Sequence, residues 1–184
     1  GNPVNSTDDR SEEETQKSSD FNGTGTDCTN IDCGVAVTVH TSCNPFISTT
    51  QVVPKCLTLG MGCRKDKDAR GIAEAAQKGL DRSGFHKEAF EQIASIDLKK
   101  EEKGILSLSQ DWQIPFVTYT EEELKQVPGE FTPSPFVKKI TGVDNVCERS
   151  AVLASGNGRL LQRKTGENGV TTAVAAREWR IHFE

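Results

Sequence analysis

An α/β fold, a three-layer α/β/α sandwich around a central mixed sheet, is what the sequence predicts, on two observations. Short β-rich runs alternate along the chain with stretches whose apolar residues fall at helical spacing. The closing runs lie close together in sequence, which favours antiparallel pairing beside the parallel strands that crossover helices impose.

Residues 1–29 read as a disordered acidic segment. They consist largely of Asn, Ser, Thr, Gly and acid, with Phe21 almost alone as a large apolar group, too little to offset the entropy of ordering. Val35, Val37 and Val39 then alternate as a short strand before the Asn44-Pro45 turn signal. Val52 to Gly60 reads as one further strand, opening into a loop over Gly60 to Lys67. Asp68 caps a helix with Ile72, Ala75, Ala76 and Leu80 on its buried stripe and Gly84 at its end. A short helix over Lys87 to Gln92 leads into a buried strand, Ile93 to Ile96. Glu101 to Trp112 reads as a helix burying Ile105, Leu106 and Leu108, and Ile114 to Tyr119 as a strand. Thr120 and Glu123 form a capping box for a helix over Glu121 to Val127. Ser134 and Pro135 start a helix running to Ile140 and closed by Gly142. Asn145 caps Val146 to Ala154, and the turn Ser155 to Gly158 follows. Arg159 to Gln162, Val170 to Ala175 and Trp179 to Phe183 are the closing strands, with a hairpin through Arg177-Glu178. Phe116, Phe131, Phe136, Trp112 and Trp179 read as core.

A chain of 184 residues suits one domain with a tail. Its net charge of −5 is concentrated in Asp8, Asp9, Glu12, Glu13, Glu14 and Asp20, set against Arg10 and Lys17. The remainder is near neutral and shows no basic stripe, so nucleic acid is not an expected partner. No apolar run approaches the roughly 20 residues of a membrane span, and no signal sequence opens the chain. A cytoplasmic protein without a membrane partner is therefore expected. Because the chain begins at Gly1, further sequence upstream is also expected. Cys28, Cys33, Cys43, Cys56, Cys63 and Cys147 lack the close pairing of zinc ligands and the secreted context of disulfide frameworks. They read as reduced thiols, and no metal site is expected.

Gly60-Met61-Gly62-Cys63-Arg64-Lys65-Asp66-Lys67, between a strand and a helix, is the most informative stretch. Glycines there allow close approach at a strand's carboxyl end, and the cations attract anions, although a tight structural turn accounts for the same residues. Cys63 beside two cations is either an activated nucleophile or a packed loop cysteine. Asp97, with Lys99 after it, is an acid/base candidate at a strand end or a solvated ion pair. Glu148 is a helix-start carboxylate, by default structural, with catalysis the sharper reading. Lys164 and Thr165 bind an anion or form a hairpin turn.

From Leu57 onward the chain resembles the C-terminal domain of the CbiG/CobE family. Gly60-Met61-Gly62-Cys63-Arg64-Lys65 is similar to the family's GIGCRRG loop, and Ile96-Asp97-Leu98-Lys99 with Glu102 to its IDLKxxE segment. Phe131-Thr132-Pro133-Ser134 with Phe136-Val137, Thr141-Gly142-Val143 with Asn145-Val146-Cys147-Glu148, and Lys164-Thr165 with Gly169-Val170-Thr171 and Trp179 follow in the family's order. Asp66 stands where the family often has Gly, and Pro135 where it often has an acid. Residues 30–56 resemble the tail of the family's central region, which leaves 57–184 as the domain itself.

The resemblance implies cobalamin biosynthesis, namely a hydrolase that opens the ring A lactone of cobalt-precorrin-5A and releases acetaldehyde. The alternative it leaves open is a non-catalytic, CobE-like module that binds a corrinoid intermediate. It implies a precorrin or cobalt-precorrin tetrapyrrole as ligand and the family's longer N-terminal domain as partner. No cofactor is implied, cobalt being part of the substrate. Carried onto this chain, Asp97, Glu148 and Cys63 are the catalytic candidates. Gly60, Gly62, Arg64, Lys65, Lys99, Asn145, Lys164 and Thr165 are the substrate-binding ones.

Overall fold

The computed structural model describes residues 32–179. The expected disorder of residues 1–29 lies outside them, as does all but the first residue of the strand expected over Trp179 to Phe183.

The chain enters through β1 (Cys33–Val37) and β2 (Ser48–Val52), which pair in parallel as a separate two-stranded ladder. Gly34 is required there, because a Cβ on it would lie 2.3 Å from the Phe46 ring. Four hydrogen bonds tie this N-terminal part to residues 84–86: Thr41 donates to Gly84 O through both its N–H and its Oγ1, His86 N–H donates to Val39 O, and His86 Nε2 lies 2.7 Å from Gln51 Oε1.

The strand expected over Val52 to Gly60 is two strands. Pro54 follows the end of β2, and a new strand, β3 (Leu57–Cys63), starts beyond it and runs through both glycines. α1 (Ala69–Ser83) follows, with the Asp68 carboxylate accepting from Gly71 N–H and Gly84 in the left-handed conformation, as the sequence predicts. Lys87–Ala89 form only a 3-10 turn, and β4 (Phe90–Ile96) begins three residues before the expected strand. α2 (Lys103–Trp112) buries Ile105 and Leu108, but Leu106 points outward and is exposed. β5 (Phe116–Tyr119), α3 (Glu121–Gln126), α4 (Pro135–Thr141) and α5 (Val146–Ala154) match their expectations within a residue or two. The second strand of the hairpin expected through Arg177-Glu178 lies, but for its first residue, outside the described residues; before it, β6 (Arg159–Glu167) and β7 (Val170–Ala176) form a hairpin that turns at Asn168-Gly169. Both turn residues have positive φ, 47° and 82°, the conformation that tight hairpins demand.

The five strands form one mixed sheet in the order β5-β4-β3-β7-β6. β3, β4 and β5 are parallel, whereas β7 runs antiparallel to both β3 and β6. Period-two alternation sorts large side chains to one face and small ones to the other. Leu57, Leu59, Met61, Ile93, Val170 and Val174 join Ile72 and Leu80 of α1 and Ile105 and Leu108 of α2 in the main core. On the opposite face Gly60, Ala94, Ala173 and Ala175 are buried, and α5 packs down on this small-residue surface. Ser150 Oγ donates 3.2 Å to Ala94 O, a side chain of α5 bonding to a strand backbone. Helices thus cover both faces, as a three-layer sandwich requires.

Candidate functional site

Three parallel strands that end at one edge leave a crevice between their carboxyl ends, where open α/β sheets collect ligands. Here β3 gives way to the Arg64 turn and β4 to a 3-10 turn over Asp97–Lys99. A cleft of about 700 Å³ opens between these turns, the hairpin at Gly169, and α4. Its lining falls into three parts. Gly62, Cys63 and Thr171 lie at the strand ends; Arg64, Lys65 and Lys99 supply positive charge; Leu98, Phe136, Val137 and Ile140 supply an apolar wall. Leu98, Phe136 and Ile140 are 67%, 68% and 60% exposed, three large apolar side chains turned outward around one opening. Phe136 is therefore not the core residue expected, whereas Trp112 and Phe116 pack on the main core and Phe131 on the α5 side.

The Arg64 turn is held from both sides. Arg64 N–H donates 3.0 Å to Gly169 O, and a Cβ on Gly169 would lie 3.0 Å from the Arg64 side chain, which crosses the hairpin there. Asp66 takes the bend with φ 56°, a left-handed conformation that Asp tolerates better than most residues. Lys67 N–H donates 3.1 Å to Glu102 Oε1, while Lys99 Nζ lies 2.9 Å from Glu102 Oε2. The side chains of Lys99 and Glu102 are only 14% and 8% exposed, so this carboxylate fixes the cleft's best-buried cation and the turn beside it together.

Cys63 does not have the environment the sequence suggested. Burial, the largest influence, raises its pKa above the usual thiol value; Lys99 opposes this, and Glu102 reinforces it. Arg64 and Lys65, its sequence neighbours, are not among the causes. The side chain rests as a neutral thiol against the main core. Asp97 accepts a 2.6 Å bond from Thr118 Oγ1 and lines an adjoining groove of about 620 Å³ with Glu101 and Glu121. That groove shares Ile96, Leu98, Ile140 and Thr141 with the cleft.

Gly60, Asn145 and Glu148, expected as substrate contacts and a catalyst, lie inside the protein and do not line the cleft. Gly60 is buried beneath α5, where its missing side chain serves packing. Asn145 is 1% exposed; its Oδ1 caps α5 by accepting from Glu148 N–H, and its Nδ2 donates to Thr132 O at 2.9 Å. Glu148 is 0% exposed and accepts from Thr132 N–H at 2.8 Å, Thr132 Oγ1 at 2.9 Å and Lys164 N–H at 2.6 Å. Lys164 and Thr165 are strand residues of β6 and not a turn; Thr165 Oγ1 pairs with Thr172 Oγ1 at 2.9 Å. Of the residues singled out from the sequence, the fold thus brings Gly62, Cys63, Arg64, Lys65 and Lys99 to one cleft. Asp97 lines the groove beside it.

The sequence reading missed Leu98, Phe136 and Ile140 as a wall and Glu102 as the partner of Lys99. Phe136 and Ile140 sit four apart on a short helix after Ser134-Pro135, a spacing that puts them on one face. Nothing local says that this face looks away from the core. Among the described residues, no three or more His, Cys, Asp and Glu side chains gather to hold a metal. No described helix is long and apolar enough to cross a membrane.

Residues 57–175 match the family model described as cobalamin synthesis G C-terminus. The cobalt-precorrin-5A hydrolase of Salmonella typhimurium is 35% identical over 124 residues, covering 67% of this chain and 35% of the relative. That of Priestia megaterium is 34% identical over 122 residues, covering 66% and 32%. The chain therefore spans about a third of the length of these curated relatives. Among solved structures, CobE, a protein from the cobalamin (vitamin B12) biosynthetic pathway, superposes with a TM-score of 0.61 at 28% identity, over 67% of this chain and 92% of CobE.

Proposed function

The chain belongs to the cobalamin synthesis G C-terminus family, and from that premise we propose that it holds a carboxylated cobalt-tetrapyrrole in the cleft at the ends of β3 and β4. The reaction served is the opening of the ring A lactone of cobalt-precorrin-5A and the release of its two-carbon unit as acetaldehyde.

The observation that carries this reading is the division of the cleft into an apolar wall and a cationic rim. A corrinoid intermediate has the same division: a broad, weakly polar macrocycle and a periphery of carboxylates. Leu98, Phe136 and Ile140 would meet the macrocycle, and a side chain of this kind contributes about 1.5–3 kcal/mol when it passes from water to full burial. Arg64, Lys65 and Lys99 would grip carboxylates through charge-assisted hydrogen bonds. Cobalt enters with the substrate.

Lactone opening needs a water molecule activated by a base and a group to polarise the carbonyl, and the later carbon-carbon cleavage needs a proton delivered to the carbon that loses acetaldehyde. The buried placement of Glu148 favours a structural part for it. Asp97, across Leu98 and Ile140 from the cationic rim, is the carboxylate whose position best suits proton transfer. The chain's role is then to bind, with Asp97 the first group to test for direct participation.

Anaerobic incubation with cobalt-precorrin-5A, following acetaldehyde together with the corrinoid spectrum, tests the proposal. Spectral retention of the corrinoid is expected, and its loss in Lys99→Met with the fold intact. Acetaldehyde at turnover that disappears in Asp97→Asn places catalysis in this domain. The absence of both corrinoid retention and acetaldehyde overturns the proposal.

A further inference from the structure

The α5 start buries a carboxylate and an amide, and both are directed at one residue of the loop that leads into α4. We infer that Glu148 and Asn145 are positioning residues for the cleft, which clamp Thr132 and thereby hold α4 as its apolar wall. This rests on the proposed corrinoid cleft.

Thr132 is gripped at three atoms. Its N–H and its Oγ1 donate to the two oxygens of Glu148 at 2.8 and 2.9 Å, and its carbonyl accepts from Asn145 Nδ2 at 2.9 Å. The Glu148 oxygen facing Oγ1 also accepts from Lys164 N–H at 2.6 Å, which ties the loop and α5 to the edge strand β6. A carboxylate that is 0% exposed is costly to bury unless its lone pairs are satisfied. Here the donors of Thr132 and Lys164 satisfy it, so the clamp has a defined geometry.

α4 needs such a clamp because burial alone holds it weakly: of its apolar residues Val137 packs, half-buried, on the cluster of Ile96, Leu124, Val143 and Val146. None of its seven residues is buried, and its two largest apolar side chains, Phe136 and Ile140, face outward over the cleft. The rest of its placement comes from its ends. After the clamp at Thr132, Ser134 N–H donates 2.9 Å to Asp144 O. At the other end Gly142 takes φ 72°, Thr141 Oγ1 donates to Val143 O at 3.1 Å, and Val143 is 1% exposed. Both ends therefore return to the segment that enters α5. Loosening Thr132 leaves that end of the wall to the Ser134–Asp144 bond, without touching any group that lines the cleft.

Three variants test this. Glu148→Gln replaces one acceptor oxygen by an NH2 facing a donor; Thr132→Val removes the hydroxyl alone; Thr132→Ser keeps it. The probes are amide hydrogen exchange over 135–141 and the affinity of the full chain for cobyrinic acid, a stable cobalt corrinoid with free carboxylates. Faster exchange over 135–141 is expected in Glu148→Gln and Thr132→Val, with Thr132→Ser close to the parent. Affinity should fall about tenfold, the equivalent of one lost charge-assisted hydrogen bond. Thr132→Val guards against failure of the buried variant to fold. Unchanged exchange over 135–141 in Thr132→Val overturns the inference. So does loss of acetaldehyde release in Glu148→Gln with affinity retained, because that would make Glu148 a catalytic residue. If the parent chain binds no corrinoid, the proposed function fails, and the exchange measurement still decides the clamp.

Discussion

Substituting Gly60 by Ala tests whether α5 sits on the sheet as closely as the structure has it. A Cβ at Gly60 would lie 1.8 Å from the carbonyl oxygen of Cys147 and 2.8 Å from Ala151 Cβ. Ordinary contact begins near 3.4 Å, so α5 would have to lift by about 1.6 Å over the centre of β3. The obstacle is a helix backbone and cannot rotate away. Overpacking typically costs about 1–3 kcal/mol, and a rigid obstacle puts Gly60→Ala at or above the upper end. The smaller unfolded-state entropy of Ala returns only about 0.4–1 kcal/mol. With a urea m-value near 2 kcal/mol/M, the unfolding midpoint should drop by about 1–1.5 M, followed by far-UV circular dichroism. Gly62→Ala is the internal control, because its Cβ meets mainly Thr171 Oγ1, at 2.8 Å, and that side chain can turn. A Gly60→Ala midpoint within about 0.3 M of the parent would refute the close approach, and with it the assignment of Gly60 to packing.

Lys99→Met should lower stability by about 1–3 kcal/mol, since it strands the Glu102 carboxylate; adding Glu102→Gln should restore stability but not corrinoid affinity, which a double-mutant cycle by urea unfolding and spectral titration will resolve. Burial pushes the Cys147 thiol up to about 11, above its value in the unfolded chain near 9. The folded state thus keeps the proton that the unfolded state releases, so stability is intact below about pH 9 and falls between pH 9 and 11 by up to roughly 3 kcal/mol. Urea midpoints at pH 7.5 and 10.5 should diverge more in the parent than in Cys147→Ala. Thr120→Ala removes the hydroxyl that accepts from Glu123 N–H at 3.2 Å, and should cost about 1 kcal/mol in thermal unfolding.

How much was legible depended on how local each cause was. Asp68, the stripe Ile72, Ala75, Ala76 and Leu80, and Gly84 specify α1 within one stretch of chain, and the Thr120 capping box specifies the start of α3 in the same way. β3 extends beyond its expected end because two glycines, which locally signal a loop, stay in the strand. They do so because α5, some ninety residues on, needs the space above Gly60. Lys164 and Thr165 resemble turn residues because an edge strand that is half exposed carries polar side chains in alternation. Proximity in sequence pairs Cys63 with Arg64 and Lys65, but the cation that acts on it is Lys99, from the end of a neighbouring strand. The cleft's chemistry was visible as scattered residues, and its geometry came only with strand order.

The end of the sheet where the cleft opens reverses the usual distribution of polarity. Glu148 and Asn145 are inside, where a charge and an amide cost desolvation, while Leu98, Phe136 and Ile140 are outside, where apolar area costs hydration. Away from this end, buried side chains on β3, β4, α1 and α2 are overwhelmingly apolar. A fold selected for stability alone would exchange the two groups: an apolar residue in place of Glu148 and polar residues along α4. Both departures act on the same short helix, one by fixing its end and the other by giving it a face to present. The stability given up at Glu148 and at Phe136 is intelligible together, as the cost of a wall held ready for an apolar ligand face before that ligand arrives.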